Sequence, residues 1–249
     1  MKQNRESDWI KSHKGHLDSV CLEGFHALKH AIRFEAKIEV MYRKEDPGYR
    51  SITSSATDEK VVRHIEKESH ILTNEEFKNL APQAQYTGVC AKAEKRTVTY
   101  AEIEKISGII VFLENPRTYD NIGAVIRVCA ARGVGALIMT GDLSPWHARA
   151  IRSAAGLQWS LPVLQVKEEE IKTLQKSRPF YACTDEGQSV YEANLETSAV
   201  YVFGTERDGI SKKIREQANK KIALPMQEGV SSMNLATAVS GILYHKPKT

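Results

Sequence analysis

Residues that could do chemistry gather in three short stretches in the second half of the chain, residues 114–127, 203–210 and 221–240. In the first stretch, Arg127 offers a fixed positive charge that could bind a phosphate or stabilise a developing oxyanion. In the second, Glu206 could bind a ribose hydroxyl or orient a catalytic arginine. Each residue also has an ordinary structural role, Arg127 as an ion-pair partner on an exposed helix face and Glu206 as a salt-bridged acid at a helix start. The residues alone leave these alternatives open.

The third stretch predicts a strand, a loop and a helix. Pro225 ends the strand because it has no backbone N–H to donate to a ladder, and Gly229 allows the loop to turn. Either Ser231 or Ser232 can cap the helix, and of Ser232 and Asn234 one could bond the backbone while the other faces a ligand. Because the backbone amides at a helix N-terminus suit a polar or anionic ligand, this loop is a candidate binding site.

The elements that must position these stretches are indicated by nearly continuous apolar runs at residues 108–113, 136–139, 161–164, 180–183 and 200–203. Such runs are typical of strands that are covered on both faces. Helical patterns lie between them, at residues 122–132, 146–155, 168–176 and 210–218, and Asp120 or Asn121 is expected to cap the first of these helices. This alternation predicts an α/β fold with a parallel sheet and helices on both faces. Ligands bind such sheets at the carboxyl ends of the strands, where the three stretches fall.

The first part of the chain predicts a smaller α/β unit of its own. A helix is expected over residues 20–34, a strand over 38–42, a short helix or strand over 61–65, a helix capped by Thr73 or Asn74, and a strand over 88–93. The domains expected from these patterns are a polar N-terminal arm at 1–18, a small α/β domain at 19–95, a charged linker at 96–107 that can be partly helical, and a larger domain at 108–249.

The composition limits the classes of function. With 249 residues, 41% of them hydrophobic, the chain can build one large or two smaller domains, and its net charge of +4 is compatible with nucleic acid without demanding it. The four cysteines form no Cys-x-x-Cys pair, which argues against a metal site and for reduced thiols in the cytoplasm. No signal peptide or membrane-length apolar run is visible, so a soluble protein that does not enter a membrane is expected. Fingerprints of dinucleotide-binding domains, P-loops and serine hydrolases are also absent from the sequence.

Taken together and in order, the motifs of the three stretches are specific. They are Asn121-x-Gly123-Ala124-x-x-Arg127, then Phe203-Gly204-x-Glu206-x-x-Gly209, then Leu224-Pro225-Met226 followed by Ser232-Met233-Asn234. This trio resembles the SpoU (TrmH-type) family of SPOUT methyltransferases, which transfer a methyl group from S-adenosylmethionine to a ribose 2′-hydroxyl of RNA. In the front unit, Leu22-Glu23-Gly24-x-x-Ala27-Leu28 and Thr87-Gly88-Val89 are similar to the RNA-binding domain often fused before the catalytic domain. The resemblance covers residues 20–245.

The resemblance implies a fold and a set of partners. The fold would be a three-layer parallel α/β domain whose C-terminal chain forms a deep trefoil knot, preceded by the small RNA-binding domain. The knot would bind S-adenosylmethionine, the domain would form a homodimer, and the substrate would be tRNA or rRNA. Neither a metal nor a membrane is implied.

The resemblance also implies roles for individual residues. The catalytic residues would be Asn121, Arg127, Glu206, Ser232 and Asn234. The cofactor-binding residues would be Thr140, Gly204, Leu224, Met226 and Met233. Arg127 would either take the proton from the attacking hydroxyl or stabilise the alkoxide as it forms, with Asn121 and Glu206 orienting it.

Two other functions remain open at the level of sequence. One is a base methyltransferase of the N1-guanosine type on the same fold, and the other is a non-catalytic RNA-binding scaffold. Complete motifs favour an enzyme, and the combination of the Arg127 motif with Ser232-Met233-Asn234 favours ribose as the acceptor. Tyr86-Thr87-Gly88 stands where Pro-Gln-Gly is common in the family, so the RNA preference of the front domain does not follow from the resemblance.

Overall fold

The computed structural model describes residues 18–53, 55–205, 208–230 and 232–245. The chain divides into two compact units. The first contains the chain up to Arg96 together with Trp146–Ser160, and the second contains Thr97–Pro145 and the chain from Leu161 onwards. The predicted N-terminal arm lies, except for Asp18, outside the described residues.

The first unit is built on a four-stranded sheet of order β1-β4-β2-β3. Its strands are β1 Ser19–Glu23, β2 Ile38–Lys44, β3 His70–Leu72 and β4 Val89–Glu94. Its first helices are α1 Phe25–Arg33, α2 Ala56–Glu68 and α3 Asn74–Leu80. Strand β4 pairs antiparallel with both β1 and β2, whereas β2 and β3 are parallel. Thr73 caps α3 and forms a capping box with Glu76, as its position in the sequence predicts.

The predicted helix over residues 20–34 is wrong in its first part, which forms β1. Val20 and Leu22 are both buried while their neighbours on the strand are less so, and this alternation has the period of a strand. Gly24 then takes a φ of 97°, which no helix interior contains and which separates the strand from α1. The sequence shows a helical pattern there because apolar residues of the strand continue directly into those of the helix. Residues 61–65, left open between helix and strand, belong to α2.

Residues 146–160 pack in the first unit, although the sequence pattern assigns them to the larger domain. The segment contains α6 Ala148–Ser153. Ile151 and Trp159 belong to the same apolar core as α1 and β4, and the indole N–H of Trp159 donates to the carbonyl of Glu94 at 3.0 Å. Gly156, at φ 75°, lies so close to Ala27 that an added Cβ would stand 2.2 Å from its carbonyl oxygen. The segment is therefore an integral part of this core.

The second unit contains a six-stranded sheet of order β10-β8-β9-β5-β6-β7, and every neighbouring pair in it is parallel. Its strands are β5 Ile110–Leu113, β6 Ala136–Met139, β7 Val163–Gln165, β8 Phe180–Ser189, β9 Val200–Phe203 and β10 Lys220–Ala223. Its helices are α4 Tyr100–Glu104, α5 Tyr119–Arg132, α7 Glu168–Ser177, α8 Lys212–Gln217 and α9 Leu235–Tyr244. The predicted α/β fold with a parallel sheet is confirmed.

One local expectation for this unit needs correction. Helix α5 begins earlier than predicted, because the Thr118 side chain accepts from the backbone N–H of Asn121 and so caps the helix in place of Asp120 or Asn121. Residues 96–107, expected as a linker that can be partly helical, contain α4, whose Ile103 is fully buried in the core of the second unit. None of the described helices is both long and apolar enough to span a membrane.

We predict that Trp159→Ala destabilises the first unit by about 3 kcal/mol or more, since it removes a buried indole and leaves a cavity. Trp159 is only 5% exposed and its ring lies edge-on to Trp146 at a centroid distance of 5.0 Å. Urea unfolding followed by amide hydrogen exchange of α1 and β4 would measure the loss. Tyr86→Ala is the matched control, because Tyr86 is 73% exposed and its removal should leave stability nearly unchanged. Equal effects of the two variants would contradict the assignment of residues 146–160 to this core.

Candidate active site

The site lies at the carboxyl edge of the parallel sheet, where β5, β6 and β9 end together. The backbone N–H of Glu114 donates to Phe203 at 2.8 Å, and that of Thr140 donates to Leu113 at 3.1 Å. These bonds continue the sheet by one residue beyond each strand. The loops that follow these strands therefore start at the same edge of the sheet, as the parallel topology predicts.

A cavity of about 350 Å³ opens beside this edge. Most of the predicted cofactor residues line it, namely Gly204, Leu224, Met226 and Met233, and so does Ser232 from the predicted catalytic set. Further walls come from Phe203, Ile210, Leu235, Ala238 and Ile242. The cavity is therefore lined by the second and third stretches and α9, together with residues 183–185 of β8 and Arg215 of α8.

Thr140 is not among the described residues that line the cavity. Its hydroxyl accepts from the backbone N–H of Asn115 at 3.2 Å, which holds the loop after β5 against the end of β6. Next to it, Gly141 has a φ of 92° and lies against Asn115, where an added Cβ would stand 3.2 Å from the Asn115 Cα. In this arrangement Thr140 positions the first stretch.

Asn234, and not Ser231 or Ser232, caps α9. Its side-chain oxygen accepts from the backbone N–H groups of Ala236 at 2.9 Å and Thr237 at 3.4 Å. Helix α9 starts at Leu235, so Ser232 lies too far before it to reach these donors. Ser232 is exposed at the cavity, and Ser231 lies outside the described residues.

The same Asn234 side chain joins the third stretch to the first. Its Nδ2 donates to Asn121 Oδ1 at 3.2 Å. Since the oxygen of Asn234 is already used by the helix cap, the amide must turn its nitrogen towards Asn121. The structure thus brings together two of the predicted catalytic residues, which are 113 positions apart in the chain.

Arg127 lies on the exposed side of α5. Its neighbours Val125 and Ile126 are fully buried, as are Ile122 and Cys129 on the same helix. Within the described part of the chain, Arg127 has no ion-pair or hydrogen-bond partner and does not line the cavity. Glu206, which is predicted to orient Arg127, lies outside the described residues, so the geometry of the site is given without it.

Three residues that sequence reasoning did not single out hold the first two stretches together. Glu114 accepts from the backbone N–H of Ser211 at 2.7 Å, at the start of α8. Arg117 pairs with Asp208 at 3.7 Å, and because both side chains are largely exposed this pair contributes little to stability. In the sequence, these contacts are indicated only by charged residues that follow shortly after the buried strands.

The glycines of the second stretch pack against each other. Thr205 and Gly209 exchange two backbone hydrogen bonds, of 3.2 and 3.0 Å. This tight turn brings the Gly209 carbonyl so near Gly204 that an added Cβ there would lie 1.9 Å from it. This close backbone contact within the loop shapes the cavity wall at Gly204.

The only thiol at the cavity is not prepared for nucleophilic chemistry. Among the described lining residues Cys183 is the sole cysteine, and burial raises its pKa well above the ordinary value for a thiol. It is therefore neutral and acts as an apolar wall. No cluster of His, Cys, Asp or Glu that could hold a metal ion occurs among the residues that the structure describes.

Comparison with known proteins decides the family. The model of the SpoU rRNA Methylase family matches residues 108–244. This chain belongs to that family. The match covers most of the second unit, from residue 108 onwards, and includes the segment 146–160 that packs in the first.

Individual SpoU-type proteins resemble the chain over nearly its whole length. A "23S rRNA (guanosine-2′-O-)-methyltransferase RlmB" of Bordetella pertussis is 27% identical over 90% of this chain and 94% of its own length. The solved structure of the SpoU methyltransferase AviRb from Streptomyces viridochromogenes, in complex with AdoMet, covers 98% of this chain and 97% of its own with a TM-score of 0.79 at 18% identity. A structure described as an RNA 2′-O ribose methyltransferase gives a TM-score of 0.79 at 21% identity, covering 98% and 95%. At such identities these two structures show a shared fold.

The predicted SpoU family is confirmed, and with it the prediction of an S-adenosylmethionine-dependent RNA 2′-O-methyltransferase.

The cavity fits the cofactor chemically. Polar and apolar surface line it in nearly equal amounts, which suits a ligand with a neutral adenine at one end and charged groups at the other. Asp208 and Arg215 also line it and are exposed, so charged groups of both signs are available to the ammonium and carboxylate of the methionine end.

We predict that the two roles of Asn234 can be separated by substitution. Asn234→Ala removes the cap and should lower the free energy of unfolding of the SpoU domain by about 1 kcal/mol. Asn234→Asp keeps an oxygen for the cap and should stay within about 0.5 kcal/mol of the native protein, while losing the donor to Asn121. Urea denaturation monitored by circular dichroism would test both variants. A loss in Asn234→Asp equal to that in Asn234→Ala would contradict the separation.

Proposed function

We propose that this SpoU-family protein methylates a ribose 2′-hydroxyl of ribosomal RNA at the cavity beside Asn121 and Asn234. The observation that carries the proposal is the hydrogen bond between these two side chains, because it joins the first and third motifs next to the cofactor cavity. The relatives add support for the RNA class, since those from Bordetella pertussis and Streptomyces laurentii are both named as 23S rRNA 2′-O-methyltransferases.

In this proposal the bound cofactor supplies the methyl group from its sulfonium. Gly204, Leu224, Met226 and Met233 hold it and exclude water from its adenosine part. Such positioning matters because a ribose hydroxyl is a weak nucleophile and must be held in line with the methyl. Thr140 contributes by keeping the loop after β5 in place.

Arg127 acts on the attacking oxygen. A guanidinium remains protonated in proteins, so stabilisation of the developing alkoxide, or of an RNA phosphate, suits it better than removal of a proton. Its exposed position, with no ion-pair partner in the described ranges, leaves its donors available to RNA. Glu206 orients Arg127, and Ser232 together with the Asn121–Asn234 pair orders the ribose.

We further propose the C-terminal trefoil knot and a homodimer formed by the knotted domain. Support comes from the resemblance and from the packing of α9 along α5. The Arg132 side chain ties the ends of these helices by donating to Leu243 at 2.9 Å, and it lies over the ring of Tyr244, which is 52% exposed. An exposed aromatic at the end of this helix pair suits an interface between copies. Location in the cytoplasm belongs to the same proposal.

Sedimentation equilibrium of the full chain tests the homodimer. The expected mass is twice the chain mass of 27.9 kDa at micromolar concentration. A mass of one chain at concentrations that support full methyl transfer would contradict it.

The reaction itself is tested with labelled S-adenosylmethionine, unmodified rRNA and tRNA, and alkaline hydrolysis of the products. Label in alkali-resistant dinucleotides from rRNA is expected, because a 2′-O-methyl blocks cleavage at its nucleotide. Label in mononucleotides would indicate base methylation, and label only from tRNA would change the substrate class. Cofactor binding without transfer to any RNA would favour the non-catalytic scaffold.

We predict that Arg127→Ala lowers the rate of methyl transfer at least about a hundredfold, as removal of an oxyanion-stabilising donor does. Cofactor affinity should stay within about twofold, since Arg127 is not among the described residues that line the cavity. Single-turnover rates and calorimetric titration would measure the two effects. Arg127→Lys is the matched control, which retains a positive charge and should lose less activity than the alanine variant. Near-native transfer by Arg127→Ala would show that Arg127 has no catalytic role.

A further inference from the structure

The strands of the first unit bring three loops to one edge of its sheet. Strand β4 runs antiparallel to both β1 and β2, so the amino end of β4 lies beside their carboxyl ends. Two backbone hydrogen bonds close this edge, since the N–H of Gly24 donates to Val89 and that of Lys44 donates to Gly88, both at 3.0 Å. The turn before β4, residues 85–88, therefore packs against the loops that follow β1 and β2.

Contacts with both neighbouring loops fix the backbone of this turn at Tyr86. The carbonyl of Thr87 accepts from the backbone N–H of Tyr49 at 3.1 Å, and its hydroxyl accepts from the backbone N–H of Phe25 at 3.3 Å. The Tyr86 carbonyl lies so close to Gly48 that an added Cβ there would stand 2.0 Å from its oxygen. Only a residue without a side chain allows this approach, so the place of Tyr86 on the edge is set by the backbone.

The side chain of Tyr86 is exposed on this fixed backbone. At 73% it is the most exposed of the large hydrophobic residues that the structure describes, and it makes no hydrogen bond or ring contact with any of them. An isolated exposed aromatic is ordinary on a protein surface. A ring on a rigid backbone, however, loses little conformational entropy when it binds a flat partner. Tyrosine here departs from the proline that is common in the family, so the ring is a feature of this chain.

A lysine side chain lies against the same turn. Lys44 passes Gly88 so closely that an added Cβ on the glycine would stand 2.8 Å from Lys44 Cε. Its ammonium has no ion-pair or hydrogen-bond partner within the described ranges. The next two residues, Glu45 and Asp46, are exposed acids. The edge thus offers one aromatic ring and one unpaired cation, without forming a basic patch.

This mixture of charges distinguishes between kinds of RNA partner. A duplex is bound through its phosphates and 2′-hydroxyls, which favours several cations on one surface. An unpaired nucleotide can instead stack its base on an aromatic side chain while a single cation meets the adjoining phosphate. One ring and one ammonium beside two carboxylates suit the second kind of partner.

We propose that Tyr86 is a stacking platform for an unpaired base of the substrate RNA, with Lys44 on the phosphate next to that base. The inference rests on the proposed function for the identity of the RNA. Every base has a face that can stack, so the platform selects unpaired over paired nucleotides and does not select one base over another. Tyr86 is thus a residue that determines which region of the RNA the first unit binds.

Fluorescence anisotropy with the full chain tests the platform without requiring methyl transfer. The probes are a short labelled single-stranded RNA and a blunt duplex of the same sequence. Tyr86→Ala should weaken binding of the single strand at least about fivefold, the lower end of the loss for one stacked base, and leave duplex binding within about twofold. Tyr86→Phe keeps the ring and should stay within about twofold for both probes. Tyr191→Ala is the matched control, because Tyr191 is 71% exposed in the second unit and its removal should change neither affinity.

Salt dependence separates the roles of the two residues. Lys44→Gln removes one phosphate contact, so the slope of log affinity against log salt concentration should become shallower by about 0.7. Tyr86→Ala should lower the affinity equally at every salt concentration, because a stacked base releases no counterions. A shallower slope in Tyr86→Ala, or an equal loss for single strand and duplex, would overturn the stacking role.

Kinetics with rRNA connect the platform to the reaction. Tyr86→Ala should raise the KM for RNA at least about fivefold and leave kcat within about twofold, since stacking in the first unit holds the RNA equally before and during transfer. Native single-strand affinity in Tyr86→Ala would overturn the proposal even if the native protein methylates rRNA. A fall in sedimentation mass with unchanged RNA affinity would also overturn it, because the ring would then belong to a protein interface. Conversely, Tyr86-dependent binding in a protein that methylates no RNA would support the platform and remove the proposed function.

Discussion

The register of β9, β5 and β6 is the constraint on which the SpoU domain depends. Ile110–Leu113 of β5 lie residue for residue against Val200–Phe203 on one side and Ala136–Met139 on the other. All three strands are buried along their whole length. Slipping β5 by one residue would turn every side chain to the opposite face and place the following loops at different levels. This register therefore positions Glu114, Thr140 and Gly204 at one edge.

Close backbone approach then shapes the cavity at that edge. The Thr205–Gly209 turn leaves no room for a side chain at Gly204. On the opposite wall, Leu224 lies against Gly241 of α9, where an added Cβ would stand 2.7 Å from Leu224 Cδ1. Both contacts keep the apolar walls near each other without filling the space between them. The result is a concave pocket in which polar groups lie beside apolar walls.

The first unit uses a segment that follows β6 in the chain to complete its own core. Trp159, Ile151 and Gly156 provide burial and a close backbone contact that the strands and helices of residues 18–96 do not supply themselves. The Arg96 side chain adds a hydrogen bond to the carbonyl of Trp159 at 2.9 Å. The folding of this unit thus depends on two separated parts of the chain, and its boundaries in space differ from its boundaries in sequence.

Local patterns by themselves determined the strands of the parallel sheet, the α/β class, the order of the motifs and the family. These features depend on the periodicity of apolar residues and on residue types whose effect on the backbone is local, such as Pro225 after β10. The first helix failed as a prediction because β1 and α1 form one apolar run that only the φ of Gly24 divides. Tertiary structure decided the rest. The choice of Asn234 over Ser232 as a cap, its bond to Asn121, the register shift between β8 and β10 and the place of residues 146–160 all depend on contacts between distant positions. No local pattern records such contacts, because their energies arise only when the sheet brings its loops together.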